Sequence, residues 1–187
     1  MEIRVAKTAG FCFGVNRAVE LTYGLLAEGH RVATLGSLIH NPQAVEDMQR
    51  KGAQVVDTVQ DVPAGYEVVI RSHGVPRSVY DELTARGIRY HDATCPFVQK
   101  IQRIAAEAEK AGAVLLVAGD KTHPEVQGIV GHTRGEVFVF ADLAELKAWK
   151  GPSDPQKPLF AVAQTTFQVT KWQESSEFLK KAYTNAR

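Results

Sequence analysis

Short apolar runs alternate along this chain with segments of helical spacing, and this alternation limits the possible folds more than any other feature. Seven runs are predicted strands, at 3–6, 31–35, 68–71, 88–91, 113–118, 136–140 and 159–163. Between them, apolar residues recur three or four positions apart, as in 15–26 and 98–108. Helices of this length between strands imply parallel pairing through right-handed crossovers. The sequence therefore predicts an α/β fold.

The predicted organisation is two similar lobes. Glycines close the helical segments at Gly29, Gly52, Gly87 and Gly112, and strand-like residues resume soon after three of them. A second series of strands and helices, similar in size to the first, begins near Pro96. We therefore expect a first lobe over 1–95 and a second over 96–187, each with a small, mainly parallel sheet flanked by helices.

Composition excludes several classes of function. The chain has 187 residues, 44% of them hydrophobic, and its net charge is +1, with 22 basic and 21 acidic residues. No block of like charge offers a surface for nucleic acid or an anionic membrane. No apolar stretch resembles a signal peptide or a membrane span. We expect a cytoplasmic protein, in which a pair of cysteines more often binds metal or acts in catalysis than forms a disulfide.

The two cysteines both lie where a helix is predicted to begin. Cys12 stands between Gly10 and Gly14, and Cys95 directly precedes Pro96, which suits a first helical turn. Helix N-termini favour the thiolate, which is the form that ligates metal. A free cysteine is also often a small buried hydrophobe, and that alternative stays open for each thiol alone. As a pair, we interpret them as metal ligands.

Three histidines occupy equivalent positions at sharp turns after predicted strands. They are His40 before Asn-Pro, His73 before glycine and His123 before proline. In open parallel sheets, ligands bind outside the carboxyl ends of the strands, where such residues meet. Imidazoles there can hold an anion such as a phosphate or diphosphate. The alternative for each is a solvated or hydrogen-bonded histidine without a functional role.

Two further candidate residues lie near the carboxyl ends of predicted strands. Glu125 lies two residues beyond His123 in a predicted first helical turn, and Thr165 follows the last predicted strand. Glu125 is a candidate proton donor, although a glutamate there also complements the helix dipole. Thr165 is a candidate hydrogen-bonding group, or else an ordinary helix entry.

Taken together, six ordered motifs make the chain resemble the 4-hydroxy-3-methylbut-2-enyl diphosphate reductase family, which acts last in the methylerythritol phosphate route of isoprenoid biosynthesis. The motifs are Gly10-Phe11-Cys12-Phe13-Gly14-Val15, Ile39-His40-Asn41-Pro42, Ser72-His73-Gly74-Val75, Asp92-Ala93-Thr94-Cys95-Pro96, His123-Pro124-Glu125-Val126 and Gln164-Thr165-Thr166. The resemblance runs over the whole chain.

The resemblance implies a three-lobed α/β oxidoreductase with an oxygen-sensitive 4Fe-4S cluster. Three cysteines hold three irons, and the fourth iron stays open for the substrate hydroxyl. Two electrons from ferredoxin or flavodoxin remove that hydroxyl, giving isopentenyl and dimethylallyl diphosphates. By the same resemblance, Cys12 and Cys95 are two of the cluster ligands.

The resemblance also implies roles for the polar residues. Glu125 delivers protons and Thr165 holds the substrate oxygen. The remaining three bind the diphosphate or the hydroxyl network of the substrate: His40, His73 and His123.

The chain departs from the family at its end. Family members continue for another lobe, which supplies the third cysteine, whereas this sequence contains two cysteines. We therefore expect the first two lobes of the reductase, a truncated form that is inactive or nearly so alone. Two alternatives stay open: a zinc-binding α/β protein that uses both cysteines and two histidines, and a non-catalytic phosphate-binding module.

Overall fold

A computed structural model describes residues 3, 4, 6 and 9–183. Within that range the chain forms seven α-helices and seven strands, in two compact units. Unit 1 takes the chain up to Ser72 together with 88–95, and unit 2 takes 73–87 and the chain from Pro96 onwards. In the described residues, no helix has the length and apolar character needed to cross a bilayer. The predicted lobe boundary between residues 95 and 96 stays a prediction.

Unit 1 is built on a four-stranded parallel sheet. Its elements are α1 (Phe13–Ala27), β1 (Val32–Leu35), α2 (Pro42–Arg50), β2 (Gln54–Val56), β3 (Glu67–Ile70) and β4 (Tyr90–Asp92). The strand order is β2-β1-β3-β4. The chain therefore runs from β1 to β2 on one side of β1, and then to β3 on the other side. The loops after β1 and β3 diverge at the carboxyl edge of the sheet as a result.

The core of unit 1 lies between this sheet and α1. Ala18 and Val32 are fully buried there, and Val69 of β3 belongs to the same apolar cluster. The cluster continues into Leu38 and Ile39 of the loop after β1. Burial of this loop fixes the segment that carries His40.

Unit 2 is built on a three-stranded parallel sheet of order β6-β5-β7. Its elements are α3 (Arg77–Ala85), α4 (Pro96–Lys110), β5 (Val114–Ala118), α5 (Pro124–Val130), β6 (Val137–Phe140), α6 (Leu143–Ala148), β7 (Leu159–Ala163) and α7 (Val169–Ala182). The central strand β5 is buried along its whole length. It therefore reads as a continuous apolar run, as expected for a parallel strand covered on both faces.

Side chains of β5 alternate between two apolar clusters. Leu115 and Val117 pack in one cluster with Ala105 of α4, and Leu116 packs in the other with Leu179 of α7. This period of two is the geometry of an extended strand. Helices on both faces thus hold β5 at the centre of unit 2, and its carboxyl end positions the loop that leads to His123.

The segment 73–87 joins unit 2 through the end of α5. The Arg77 amide donates to the Gly131 carbonyl at 3.1 Å, and His132 Nε2 lies 3.1 Å from the Val75 carbonyl. A side chain at Gly131 would lie 2.4 Å from Pro76, so the close approach requires glycine here.

The structure confirms the predicted α/β class, with two small parallel sheets flanked by helices. The strand predicted over 3–6 is wrong for Ile3, Arg4 and Ala6, which are in no strand, and Val5 lies outside the described residues. Ile3 is 77% exposed, so its apolar character does not reflect burial in a sheet. The short edge strand β2 was not predicted, because three residues carry too little periodicity to be recognised.

A cluster around Glu67 ties together the strands of unit 1. His91 Nε2 lies 2.7 Å from Glu67 Oε2, and His30 Nδ1 and Arg89 Nη1 each lie 3.1 Å from Oε1. The hydrogen bond from His91, assisted by His30 and Arg89, holds the pKa of Glu67 below its usual value despite some burial. Carboxylate charge at this position therefore stabilises the fold.

We expect Glu67→Gln to lower the free energy of unfolding at pH 7 by about 1–2 kcal/mol. A depressed folded pKa contributes stability above the unfolded value, about 4.3 for glutamate, and loses it as pH falls through the folded value. The difference between the variant and the wild type should therefore close in strongly acidic buffer. Urea unfolding across this pH range measures it. Glu174→Gln, at an exposed glutamate of α7, is the control, and an equal effect there would contradict the expectation.

Candidate active site

Cys12 is the N-cap residue of α1. Its backbone is extended, with φ −63° and ψ 162°, and its side chain makes no capping hydrogen bond. Its carbonyl accepts from the Asn16 amide at 2.8 Å. The thiol is exposed. The helix start therefore presents Cys12 with its sulfur uncommitted and beside free backbone N–H groups.

Cys95 lies between β4 and α4, at the carboxyl edge of the sheet of unit 1. It is half-buried and its thiol is free. Its amide donates to the Ser72 carbonyl at 2.9 Å, and the Thr94 amide before it donates to Asp92 Oδ1 at 2.9 Å. Two short hydrogen bonds thus fix the backbone that carries this thiol.

The first turn of α1 packs directly on Cys95. A Cβ atom placed on Gly14 would lie 2.6 Å from the Cys95 sulfur, closer than any side chain tolerates. Gly14 is two residues from Cys12, so the helix start that carries one thiol touches the other. The structure therefore brings the two predicted cysteines to one place within unit 1.

Arg17 fastens this contact. Its Nη1 donates to the Thr94 carbonyl at 3.1 Å and its Nη2 to the Asp92 carbonyl at 3.3 Å. The guanidinium thereby links α1 to the loop that ends at Cys95, three residues along the helix from Gly14 and on the same face. From the sequence, Gly14 was named only as part of a motif and Arg17 was given no role. Their spacing after Cys12 is the only signal that the sequence offers.

His40 lies on the loop after β1 and is exposed. It lines a depression of about 460 Å³ with residues that include Ser37 and Asn41. Asn41 caps α2, because its Oδ1 accepts from the Ala44 amide at 2.9 Å. The N-terminus of α2 therefore opens beside His40, in a setting that suits an anionic ligand.

In unit 2, Glu125 is buried and holds Thr165. Glu125 is 1% exposed. Its Oε1 accepts from the Thr165 amide at 2.6 Å and its Oε2 from the Thr165 hydroxyl at 2.7 Å. The two residues are 40 positions apart in sequence. They join α5 to the segment after β7, while Thr165 itself stays exposed.

His123 caps the helix that carries Glu125. Its Nδ1 accepts from the Glu125 amide at 3.1 Å, so in the neutral ring the proton is on Nε2. The His73 ring meets the His123 ring edge to face, with centroids 5.3 Å apart. The structure therefore groups two predicted histidines in unit 2, one of them directly on Glu125.

Hydrogen bonds of Asp120 and Gln164 hold the loop before His123 in place. Asp120 accepts from the amide and the hydroxyl of Thr122, at 2.8 and 2.7 Å, and these bonds keep the pKa of Asp120 below its usual value. The Asp120 amide donates to Gln164 Oε1 at 3.2 Å. Gln164 thus connects this loop to the segment that carries Thr165.

In the described residues, all but one of the candidates that were predicted to follow strands do so. Cys12 comes after the run 3–6 that we predicted as the first strand, and this placement is wrong, since no strand precedes Cys12 in the described residues. His40, His73 and Cys95 follow β1, β3 and β4 of unit 1, while His123 and Thr165 follow β5 and β7 of unit 2. Roles for these residues stay predictions.

We expect Thr165→Val to lower the free energy of unfolding by about 1–3 kcal/mol, because a buried carboxylate oxygen of Glu125 loses its hydroxyl partner. Thr165→Ser keeps the hydroxyl and is the matched control. Chemical denaturation of both variants measures the difference. Equal stability of the two variants would show that the hydroxyl contributes nothing to the buried pair.

We expect a short bifunctional thiol reagent to bridge Cys12 and Cys95 within one chain, and Arg17→Gln to slow the bridging severalfold by releasing the loop that carries Cys95. Monofunctional labelling of each thiol should change little. Arg103→Gln, at an exposed arginine of α4, is the control. Peptide mass mapping counts bridged chains, and unchanged bridging in Arg17→Gln would refute the role given to Arg17.

Comparisons with known proteins identify the family to which the chain is similar. The chain matches the family model described as LytB protein over residues 3–187. The 4-hydroxy-3-methylbut-2-enyl diphosphate reductase of Caldanaerobacter subterraneus is 38% identical over 188 residues, covering 96% of this chain and 62% of the relative. The protein of the same name from Syntrophotalea carbinolica is 42% identical over 178 residues, with coverages of 95% and 62%.

Solved structures show the same similarity. A structure of (E)-4-hydroxy-3-methyl-but-2-enyl diphosphate reductase, the terminal enzyme of the non-mevalonate pathway, matches with TM-score 0.83 and 33% identity, covering 99% of this chain and 66% of that chain. The Plasmodium falciparum E-1-hydroxy-2-methyl-but-2-enyl-4-diphosphate reductase matches with TM-score 0.86 at 23% identity, covering 97% and 57%, and supports the fold alone. The chain thus spans about 62% of the length of the curated relatives it matches. The resemblance inferred from the six motifs is confirmed, and the chain belongs to the LytB protein family.

Proposed function

We propose that the protein takes part in the reductive dehydroxylation of (E)-4-hydroxy-3-methylbut-2-enyl diphosphate, giving isopentenyl and dimethylallyl diphosphates. The proposal extends the names of the relatives to this chain. The observation that carries it is the contact of the α1 start with the Cys95 sulfur, which groups two thiols where a cluster needs them. Because the chain spans part of its relatives' length, the proposal concerns the activity of the complete protein.

The two thiols suit a 4Fe-4S cluster as two of its ligands. Cys12 is exposed and engaged in no capping bond, and Cys95 faces a helix turn that carries no side chain at Gly14. Iron–sulfur clusters are held by cysteine thiolates, and these two free thiols are the candidates in unit 1. A bound cluster with an open iron would supply a Lewis acid and a path for two electrons. A third thiolate is to be sought in the complete protein.

Glu125 and Thr165 are the proposed path for protons. The Thr165 hydroxyl is in direct hydrogen-bond contact with Glu125 Oε2. In the proposed step, a proton on Oε2 passes to the Thr165 oxygen while the Thr165 hydroxyl gives its own proton to the substrate oxygen, which leaves as water when two electrons break its bond to carbon. Burial of Glu125 keeps bulk water from competing for its carboxyl group.

The histidines are the proposed hydrogen-bond donors to the diphosphate. His123 accepts at Nδ1, so the neutral ring carries its proton on Nε2, the atom proposed to donate to the ligand. His73 and His40 are proposed to donate to the same class of ligand, each from a loop at the carboxyl edge of a strand. Electrons would come from ferredoxin or flavodoxin in the cytoplasm.

We expect the complete protein, after anaerobic reconstitution, to bind iron and inorganic sulfide in equal amounts, with the absorption of a thiolate-bound cluster. Cys12→Ser and Cys95→Ser in that protein should each lose most of both, because the remaining thiolates hold the cluster weakly. Metal and sulfide analysis measures the result. Thr133→Ser, in a loop of unit 2 away from both thiols in sequence, is the control.

Other outcomes of this measurement point to other functions. Zinc without sulfide would favour a zinc site formed by the cysteines, and the absence of any metal would favour a phosphate-binding module. Either result would overturn the proposed reductase chemistry. Assay of the complete protein with a reduced ferredoxin then tests the reaction itself.

A further inference from the structure

Gln102 is a polar side chain on the buried face of α4. It is 4% exposed and lies at helical spacing from the buried residues Val98 and Ala105, in an otherwise apolar stripe. Its Nε2 is fully buried, and no atom of the described residues forms a hydrogen bond with it. Nearly all buried polar groups in proteins have a partner, and a buried donor without one is destabilising. This amide therefore calls for an explanation.

The position in front of this amide is bounded by Gly128 of α5. A Cβ atom on Gly128 would lie 3.5 Å from Gln102 Nε2 and 3.4 Å from the His73 carbonyl oxygen. All three residues belong to unit 2. One point beside Gly128 is therefore close both to a donor from α4 and to an acceptor on the segment 73–76.

The segment 73–76 packs on a glycine face of α5. Gly128 and Gly131 share this face, because they are three residues apart. A side chain at Gly131 would also collide with the segment, 2.4 Å from the nearest atom. The His73 ring meets the ring of His123, the cap of α5, edge to face with centroids 5.3 Å apart. The placing of the His73 ring therefore depends on how its own backbone is held against α5.

A water molecule suits the two polar groups at this point. Water both accepts and donates, so it can accept from Gln102 Nε2 and donate to the His73 carbonyl oxygen, which has two lone pairs. Buried waters in proteins make roughly two to four hydrogen bonds to otherwise unsatisfied polar groups. A bridge of this kind would satisfy the amide and join α4 to the backbone of His73.

We propose that Gln102 is a positioning residue for His73, whose carbonyl it holds through one water molecule seated beside Gly128. The amide donates to the water and the water donates to the carbonyl, so the backbone of His73 is fixed to α4 as well as to α5. The His73 ring is thereby kept against His123. That this ring meets a substrate rests on the proposed function, whereas its placement by Gln102 does not.

Gln102→Met is the first test, because methionine keeps the length of the side chain and removes its polar atoms. If Nε2 has its partner, the variant should unfold about 2–4 °C below the wild type. Removal of a donor that has no partner would instead raise the unfolding temperature. The ring resonances of His73 and His123 should also shift in NMR spectra recorded well below unfolding. Leu146→Ala, in the apolar cluster on the other face of β5, should lower stability and leave both rings unchanged.

Gly128→Ala tests the seat of the water. The new Cβ would stand at ordinary van der Waals distance from its neighbours, and alanine favours a helix more than glycine does. Packing and helix propensity alone therefore predict a higher unfolding temperature, whereas displacement of the water predicts a lower one, because Gln102 Nε2 loses its partner. Gln102→Met added to Gly128→Ala should then raise the unfolding temperature, the opposite of its effect in the wild type.

The complete protein offers a functional measurement. His73 is a proposed donor to the diphosphate, so Gln102→Met should raise the KM for the diphosphate substrate severalfold and change kcat little. Leu146→Ala should leave the KM unchanged at temperatures where the variant is folded. An unchanged KM in Gln102→Met of an active protein would contradict the effect of Gln102 on substrate binding.

Three results would overturn the inference. If Gln102→Met raises the unfolding temperature of the wild type, the amide has no partner in solution. If Gly128→Ala raises it, or if the two substitutions are additive, no water is seated beside Gly128. If the His73 and His123 rings are unchanged in Gln102→Met, Gln102 positions neither. A complete protein that lacks reductase activity but shows the expected ring shifts and the reversal of sign would refute the proposed function and support this inference.

Discussion

The candidate site depends on one close contact, that of the first turn of α1 with the Cys95 sulfur. Gly14 makes the contact possible by carrying no side chain, and Arg17 holds it through two hydrogen bonds to the carbonyls before Cys95. Without the contact, Cys12 would be an exposed thiol on a helix end and Cys95 a half-buried one elsewhere. With the contact, two thiols that are too far apart in sequence to form a local ligand motif lie close together in unit 1.

In unit 2, the candidate site depends on the buried carboxyl group of Glu125. Glu125 receives two donors from Thr165 and is nearly inaccessible, while its own amide is capped by His123. A charge buried this deeply is tolerated only where hydrogen bonds replace water. The same bonds that satisfy the carboxyl group also fix the hydroxyl of Thr165 against it, so the stability of this pair and its proposed use in proton transfer have one origin.

Much of this could be predicted from residues close together in sequence. Strands β5 and β7 were recognisable as apolar runs, and proline after Cys95 and His123 marked the starts of α4 and α5. The apolar residues near the N-terminus misled, because Ile3 resembles a strand residue in sequence but is exposed. Strand β2 was not predicted because it depends on its pairing with β1, where Ala33 lies opposite Gln54. Its own three residues carry no clear strand pattern.

The sequence alone therefore determined the α/β class, the placing of most candidate residues after strands, and the family that the motifs resemble, because each of these is written in short-range periodicity and turn chemistry. Only the tertiary structure decided that Gly14 meets Cys95 and that Thr165 satisfies Glu125. Contacts between residues far apart in the chain depend on how strands order and helices pack, and no local pattern encodes that arrangement.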